Sequence, residues 1–421
     1  MKSEYLLNLI LRICHQPRSF EFISKSLSGL DPVSTKGLLD ELEATSKLIK
    51  INDMWCIREV TTENTLALFP RDNNFLLQKH MGYFNFLKTP HPLDFEWRNS
   101  AYSLNKLVSR ITDLVRPEEK ILLLGMPTLF ATAVQKDIPY RVKLVERNRP
   151  IIQALHQINT DSKRFQILEH DIFTTPPSAV KGHYCVMMDP PWYTPHFFSF
   201  MWIAANAVEA GGIVAISLPP INTRPNIADE RLEWFSYCHE LGLCIETIEP
   251  QHLQYTMPFF EYNALRAAGI SDVLPFWRKG DLAIFRKVSN SSKERPPDKR
   301  IESNWIEREY KKTRIRVLKT ENEETKDFSF KSIVQGDILP TVSSRDSRRD
   351  EANVWTSGNR IYSCTNCHQI IVTIDLINSN QELSPSQIQI KEFLEMIANF
   401  EQLEYENYLD WIYYEMERQT D

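Results

Sequence analysis

A chain of 421 residues is long enough for about two or three domains. Its 42% hydrophobic and 25% charged composition is ordinary for a folded protein, and a formal charge of −6 excludes a global pull toward nucleic acid, so any basic surface has to be local. The seven cysteines are scattered and odd in number, which argues against a disulfide framework and predicts a reducing, cytoplasmic setting. The opening stretch "MKSEYLLNLILRICHQPRSF" is interrupted by Arg12 and is too short and polar for a signal peptide or membrane span.

Residues 1–62 read as a compact module. Leu6, Leu7, Ile10, Leu11 and Cys14 recur at helical spacing, "SFEFISKSL" gives a second short helix, and "DPVSTKGLLDELEATSKL" gives a third. Asp31 is placed to cap that third helix, with Pro32 at its first position. "IKINDMWCI" follows as two short strands around Asn52 and Asp53, a hairpin signal. Three helices and a hairpin predict a winged-helix-like module. Its third helix sets Asp40, Glu41 and Glu43 against Lys36 and Lys47, a poor face for phosphates. Docking of a protein partner or of a second copy is the alternative use.

Residues 63–100 form a connector ending in "HPLDFEWRNS". Across 101–288 helical segments alternate with apolar strands, among them "KILLLG", "RVKLVE", "RFQILEHD", "YCVMMD" and "GGIVAISLP". This alternation predicts an α/β domain with a parallel sheet covered on both faces. The last two strands, "LCIETIEPQ" and "GDLAIFRKV", are joined by a long aromatic segment and are expected to form an antiparallel edge. That segment, "QYTMPFFEYNALRAAG", suits a substrate lid or a piece of core. Residues 289–330 are dense in charge of both signs and read as a linker, or as a solvated helix and strand. Residues 331–421 form a small α+β region: "CTNCHQI" is followed by an expected strand, then by a helix from about 384 to 418.

The chemistry concentrates where strands end. Gly125 marks the first strand–turn–helix, and Glu146 closes the second strand about twenty residues later, the place of a carboxylate that binds ribose hydroxyls. The third strand ends in His170 and Asp171, where an acid is able to read an adenine amino group. The fourth stops at Asp189, Pro190, Pro191 and Trp192. Proline cannot donate to a ladder, so this strand stops abruptly and presents a carboxylate, stiff carbonyls and an indole. Together the acids outline a slot for an adenosine-bearing ligand at the carboxyl edge of the sheet.

Over 101–288 the chain resembles class I S-adenosylmethionine-dependent methyltransferases with a Rossmann-like sheet, and "DPPW" is similar to the motif of those that modify exocyclic amines. The resemblance implies S-adenosylmethionine as donor, held by Gly125, Met126, Pro127, Glu146 and Asp171. It implies that Asp189 and the Pro190 carbonyl accept hydrogen bonds from the target amine, with Pro191 stiffening the turn and Trp192 and Tyr193 against a planar acceptor, most plausibly adenine in nucleic acid. The donor loop departs from the family's glycine-rich pattern, because Gly125 is followed by Met126, Pro127 and Thr128. From residue 1 to about 288 the order of modules also resembles branched-chain polyamine synthases, which transfer aminopropyl groups, although their run of acids after the first glycine is "MPT" here. A methyltransferase-type scaffold without turnover is the third alternative.

Two features lie outside this frame. Arg345, Arg348, Arg349 and Arg360 surround Trp355, a combination able to grip phosphates and stack on bases, and so a candidate acceptor site. Cys364, Cys367 and His368 have metal-ligand spacing, yet four ligands do not assemble locally. No metal is assigned, and a turn with buried thiols is expected.

Overall fold

The computed structural model describes residues 2–27, 29–57, 87–298, 305–319 and 328–418. Most of the connector read at 63–100 lies outside them, as do parts of the charged linker. The chain divides into two compact units: Met1–Lys88 with Arg98–Thr256 and Phe276–Arg300, and Thr89–Trp97 with Met257–Pro275 and Ile301–Asp421.

The first unit opens with helix α1 (Lys2–Ile13), strand β1 (Arg18–Ser19), helices α2 (Phe20–Ser26) and α3 (Pro32–Ala44), and a hairpin of β2 (Leu48–Ile51) and β3 (Met54–Ile57). The Asp31 carboxylate caps α3, accepting from Val33 N at 3.3 Å and Ser34 N at 2.8 Å. Asn52 and Asp53 both take left-handed φ, of 50° and 60°, which makes the tight hairpin turn that their types favour. Three helices close over a sheet of order β1–β3–β2, sealed by Ile10, Ile23, Leu39 and Trp55, so the module is winged-helix-like. On α3, Lys36 is taken up by Asp40 at 2.9 Å.

The rest of the unit contains β4 (Arg98–Asn99), α4 (Ala101–Leu114), β5 (Lys120–Leu124), α5 (Pro127–Gln135), β6 (Arg141–Glu146), α6 (Arg149–Ile158) and β7 (Phe165–Glu169). It continues through β8 (His183–Met188), α7 (Thr194–Ala207), β9 (Val208–Leu218), α8 (Ile227–Glu240), β10 (Leu243–Thr256) and β11 (Lys279–Lys287). Eight strands are ordered β4–β10–β11–β9–β8–β5–β6–β7. The run from β9 to β7 is parallel, and β11 enters antiparallel between β9 and β10. The chain leaves β5 toward β6 and β7, then returns to β8 on the other side of β5. That reversal is the switch point where open α/β sheets bind ligands beyond the carboxyl ends of their strands. Helix α7 is apolar nearly all round because it is buried nearly all round, and Phe197 stacks on Trp234 of α8 at 4.4 Å.

The second unit holds α9 (Phe259–Ala267) and an antiparallel sheet of β12 (Trp305–Tyr310), β13 (Thr313–Leu318), β14 (Ser329–Ser332), β15 (Val354–Thr356) and β16 (Ile361–Thr365), ordered β12–β13–β15–β16–β14. Helices α10 (His368–Asn378) and α11 (Pro385–Arg418) complete it. Two expectations are corrected here, and one pair of alternatives is decided. The stretch read as linker supplies β12 and β13, whose charges alternate with Ile306, Ile315 and Val317 facing a core. The strand expected after "CTNCHQI" is helix α10, because Ile370, Ile371 and Ile374 bury one helical face, and that burial outweighs their β preference. Of the lid and core readings of the aromatic segment, core holds: Phe259 and Phe260 of α9 are buried, and Phe259 meets Tyr405 of α11 edge-on at 5.2 Å.

A buried ion cluster ties the start of this unit to its sheet. Arg314 bonds Asp94 at 2.7 Å and Glu307 at 2.8 Å, and Arg316 reaches both acids as well. Burial and the neighbouring Arg316 push the pKa of His91 down to about 3, so its ring is neutral; Nδ1 accepts from Leu93 N, and Nε2–H donates to the Trp355 carbonyl. Breaking such a buried pair strands a charge. Arg314→Met is therefore expected to lower stability by about 3–5 kcal/mol, read from urea unfolding.

Candidate active site

The strand register decides which side chains meet. Leu124 of β5 is level with Val145 of β6 and Met188 of β8, so Gly125, Glu146 and Asp189 leave the sheet side by side at its carboxyl edge. Glu146 and Asp189 stand two strand spacings apart, about 10 Å. Gly125 has φ of 63°, the left-handed region that a side chain disfavours, and it turns the chain from β5 into α5. A Cβ there would meet Phe200 at only 3.5 Å, an ordinary contact, so the turn and not crowding demands glycine. Met126 is buried, and Pro127 opens α5.

The acids predicted for the donor are held by their own turns. Glu146 Oε1 accepts from the backbone N–H groups of Arg147 and Asn148, both at 2.8 Å. Asp171 Oδ1 accepts from Phe173 N at 2.9 Å, and its Oδ2 pairs with Arg147 at 3.1 Å.

Asp189 has the densest environment. Ser217 Oγ donates to its Oδ1 at 2.5 Å, Tyr255 O–H donates to the same oxygen at 2.9 Å, and Asn99 Nδ2 donates to Oδ2 at 3.4 Å. Burial raises its pKa to about 6, and the three donors pull in the other direction by favouring the ionised form. Burial, and then the Asp189 charge, push the Tyr255 phenol well above its usual value, so it stays a donor. Ser217 also accepts from Trp192 Nε1 at 2.9 Å, and Trp192 meets Tyr255 edge-on at 5.8 Å. These rings converge over Gly280 of β11, where a Cβ would lie 3.2 Å from both Trp192 and the Tyr255 hydroxyl. Beyond this, Arg224 donates to the Trp192 carbonyl at 2.6 Å, pairs with Glu230, and lies 5.8 Å from the centre of the Tyr193 ring.

Asp189, Trp192 and Tyr193 are thus brought together, whereas Asn99, Ser217, Tyr255, Arg224 and Gly280 were not foreseen. Asn99 and Tyr255 are direct cross-strand partners on β4 and β10, past a register shift in β10 between Glu249 and Leu253. An irregularity of that kind bends a strand. The sequence signal was a serine just before the end of β9 and a glycine near the start of β11.

The arginine cluster is not the base-gripping site expected. Trp355 is 1% exposed and donates its N–H to Asn359, Arg348 is held by Asp346, and Arg360 is buried in a bidentate pair with Glu404 at 2.7 and 2.6 Å. Asp346 and Glu404 thus bind two of the guanidinium groups directly. Arg349 lies over the Trp355 ring at 4.3 Å, covering the face a base would need. Cys364 and Cys367 are buried, and among the described residues no group of three or more His, Cys, Asp or Glu is arranged to hold a metal. Of the residues flanking the connector, Trp97 donates to Glu261 and Arg98 to the Lys88 carbonyl.

This strand order, with one antiparallel strand inserted beside the last parallel one, defines the Rossmann-like sheet of S-adenosylmethionine-dependent transferases. No protein-family model matches the chain, and no curated protein matches it. Among solved structures the chain is similar to the branched-chain polyamine synthase of Thermus thermophilus. A mutein of that enzyme, in complex with N4-aminopropylspermidine and 5′-methylthioadenosine, superposes with a TM-score of 0.56 at 13% identity over 70% of this chain and 89% of its own. The unmodified synthase gives 0.54 at 14% identity over 69% and 89%. A putative RNA methyltransferase from Pyrococcus horikoshii gives 0.35 at 18% identity over 48% of this chain and 92% of its own. The likeness to the synthase establishes the fold shared by the two families that the motifs resemble.

Two outcomes follow from the Asp189 environment. Tyr255→Phe withdraws a donor from the ionised carboxylate and is expected to move the Asp189 pKa further up, measured by ¹³C titration of the labelled carboxyl group. Because the folded pKa exceeds the unfolded one, Asp189 costs stability as pH rises through the interval between them. Asp189→Asn is expected to gain stability relative to the parent from about pH 4 to about pH 6.5, read by denaturant unfolding at each pH.

Proposed function

We propose that the protein is an N-methyltransferase using S-adenosylmethionine, acting on a planar amine of the nucleobase type. The observation that carries this reading is the buried Asp189 carboxylate, fixed by Ser217, Tyr255 and Asn99 and level with Glu146 across the Gly125 turn. The left-handed turn at Gly125, opening into α5 with Glu146 at the neighbouring strand end, fits the adenosine part of such a donor. Gly125, Met126, Pro127, Glu146 and Asp171 would hold it. When bound, the donor supplies a methyl group on a sulfonium sulfur, a good leaving group that needs no metal.

The protein's own work is done on the acceptor. The lone pair of a ring amine is delocalised and weakly nucleophilic. Asp189 accepts an N–H of that amine, favours a pyramidal nitrogen, and stabilises the positive charge that grows on it as the new N–C bond forms. The amine proton leaves toward the same carboxylate, whose pKa of about 6 suits a temporary base near neutrality. Ser217 and Tyr255 keep that carboxylate aimed, which is the orientation component of catalysis. Trp192, partly exposed and fixed through its N–H, presents an aromatic body beside it.

A second reading is supported by the synthase comparison, whose coverage of 70% of the chain extends beyond the central sheet alone. In that reading the donor is decarboxylated S-adenosylmethionine and the acceptor an aliphatic polyamine, with Asp189 again receiving the nitrogen. Titration calorimetry separates the two: tighter binding of S-adenosylmethionine supports methyl transfer, tighter binding of the decarboxylated form supports aminopropyl transfer, and binding of neither sinks both. Asp189→Ala is expected to keep donor affinity within about threefold while transfer of the labelled group falls by about 10²–10³.

A further inference from the structure

Beside Asp189 lies a buried acceptor whose role the transferase reading has not used. Asn99 is 7% exposed, and its Nδ2 faces the Asp189 carboxylate, which, when ionised, offers only acceptors. The amide oxygen is thereby turned away from that bond, and among the described residues Asn99 Oδ1 is buried without a hydrogen-bond partner. Leaving a buried carbonyl unpaired is unfavourable, so it marks a place where a donor is missing. A carboxamide carries its oxygen next to its nitrogen, which keeps Oδ1 within reach of a group bonded to Asp189 Oδ2. That carboxylate oxygen receives the long 3.4 Å bond, while Oδ1 of Asp189 is occupied by both hydroxyls. Asn99 is held in place on both sides, since β4 pairs with β10 through Asn99 and Tyr255, and Ser100 then caps α4.

We infer that Asn99 is a substrate-binding residue whose Oδ1 accepts the second N–H of the amine that gives its first N–H to Asp189. The class of acceptor follows: a nitrogen that binds with two N–H groups, as in an unmethylated ring amine or a secondary aliphatic amine that arrives protonated and gives one proton to Asp189, freeing its lone pair, before transfer. A nitrogen with one N–H leaves the amide oxygen unpaired and is rejected. The inference rests on the reading of Asp189 as the amine's partner, and it moves to a side chain the role that the resemblance gives to the Pro190 carbonyl.

The test is calorimetric, on the full chain, with two pairs of probes. One pair is a short single-stranded oligonucleotide containing one adenine or one N6-methyladenine, with S-adenosylhomocysteine present. The other is spermidine or its N4-methyl derivative, with 5′-methylthioadenosine present. The pair that binds identifies the source of the amine. In that pair the parent protein is expected to favour the member with two N–H groups by roughly tenfold, and Asn99→Leu is expected to bring the ratio to about one. Asn99→Gln, which keeps both the amide donor and the amide oxygen, keeps the preference. Equal loss in both variants marks a structural role and overturns the assignment. Should Asn99→Leu unfold, as judged by circular dichroism, Asn99→Ala gives the same reading. If the ratio survives without Asn99 while Asp189→Asn abolishes binding, the second N–H goes elsewhere: the inference fails and the amine reading stands. If the parent binds neither pair, or Asp189→Asn changes nothing, both fail together.

Discussion

The site depends on a balance at one carboxylate. Burial opposes the charge on Asp189, and Ser217, Tyr255 and Asn99 restore part of what water would have supplied. These donors come from three strands remote in sequence, so the protein has to be folded for the balance to exist. Hydroxyl and amide donors fixed before substrate arrives need no reorganisation as charge develops, which makes them more effective than water at the same distance. The size of neighbouring residues serves the same end. Gly280 leaves the room in which Trp192 and Tyr255 meet, and Ser217 is short enough to bridge the indole and the carboxylate.

Topology explains why this carboxylate and not another. The residue after β8 lies next to the reversal in strand order, where helices on opposite faces of the sheet leave a crevice. Two prolines then prevent the chain from continuing the ladder and hold Asp189 at the lip. The return of the chain through β10, past its register shift, brings Tyr255 and Asn99 back toward the same point. A central strand supplies the carboxylate, and the neighbouring β9 with the β10–β4 side of the sheet supplies the groups that tune it.

What the sequence made legible was the part coded locally. Apolar runs ending in Gly125, Glu146 and Asp189 fall on consecutive strand ends, and a parallel sheet brings such ends level without further information. Ser217, Tyr255 and Asn99 are ordinary residues in ordinary strands, and only the pairing of β4 with β10 and of β9 with β8 gives them meaning. Partner choice caused the misreading of the arginines. Arg360 is followed in sequence by a strand, and its carboxylate, Glu404, lies on a helix 44 residues away. Helix α10 was misread because isoleucine-rich segments satisfy either period, and the surface available for burial decides between them.

A second buried carboxylate shows why a raised pKa alone does not designate a site. Burial pushes Glu401 up to about 7, a displacement like that of Asp189. Yet Glu401 accepts from Thr356 and from Ser357, the latter at 3.0 Å, and also from the backbone of Gly358, with Arg360 at 3.9 Å. Gly358 packs so closely that a Cβ there would come within 2.5 Å of Glu401 Oε1. Both carboxylate oxygens are engaged and the approach is filled, which is the pattern of a group that locks a hairpin to a helix. Asp189 differs in one respect that matters for chemistry. Among the described residues its Oδ2 receives a single long bond, and the amide that makes that bond has its own oxygen unpaired. An arrangement with acceptor capacity left over, at the carboxyl edge of the parallel strands, is one that folding alone does not require.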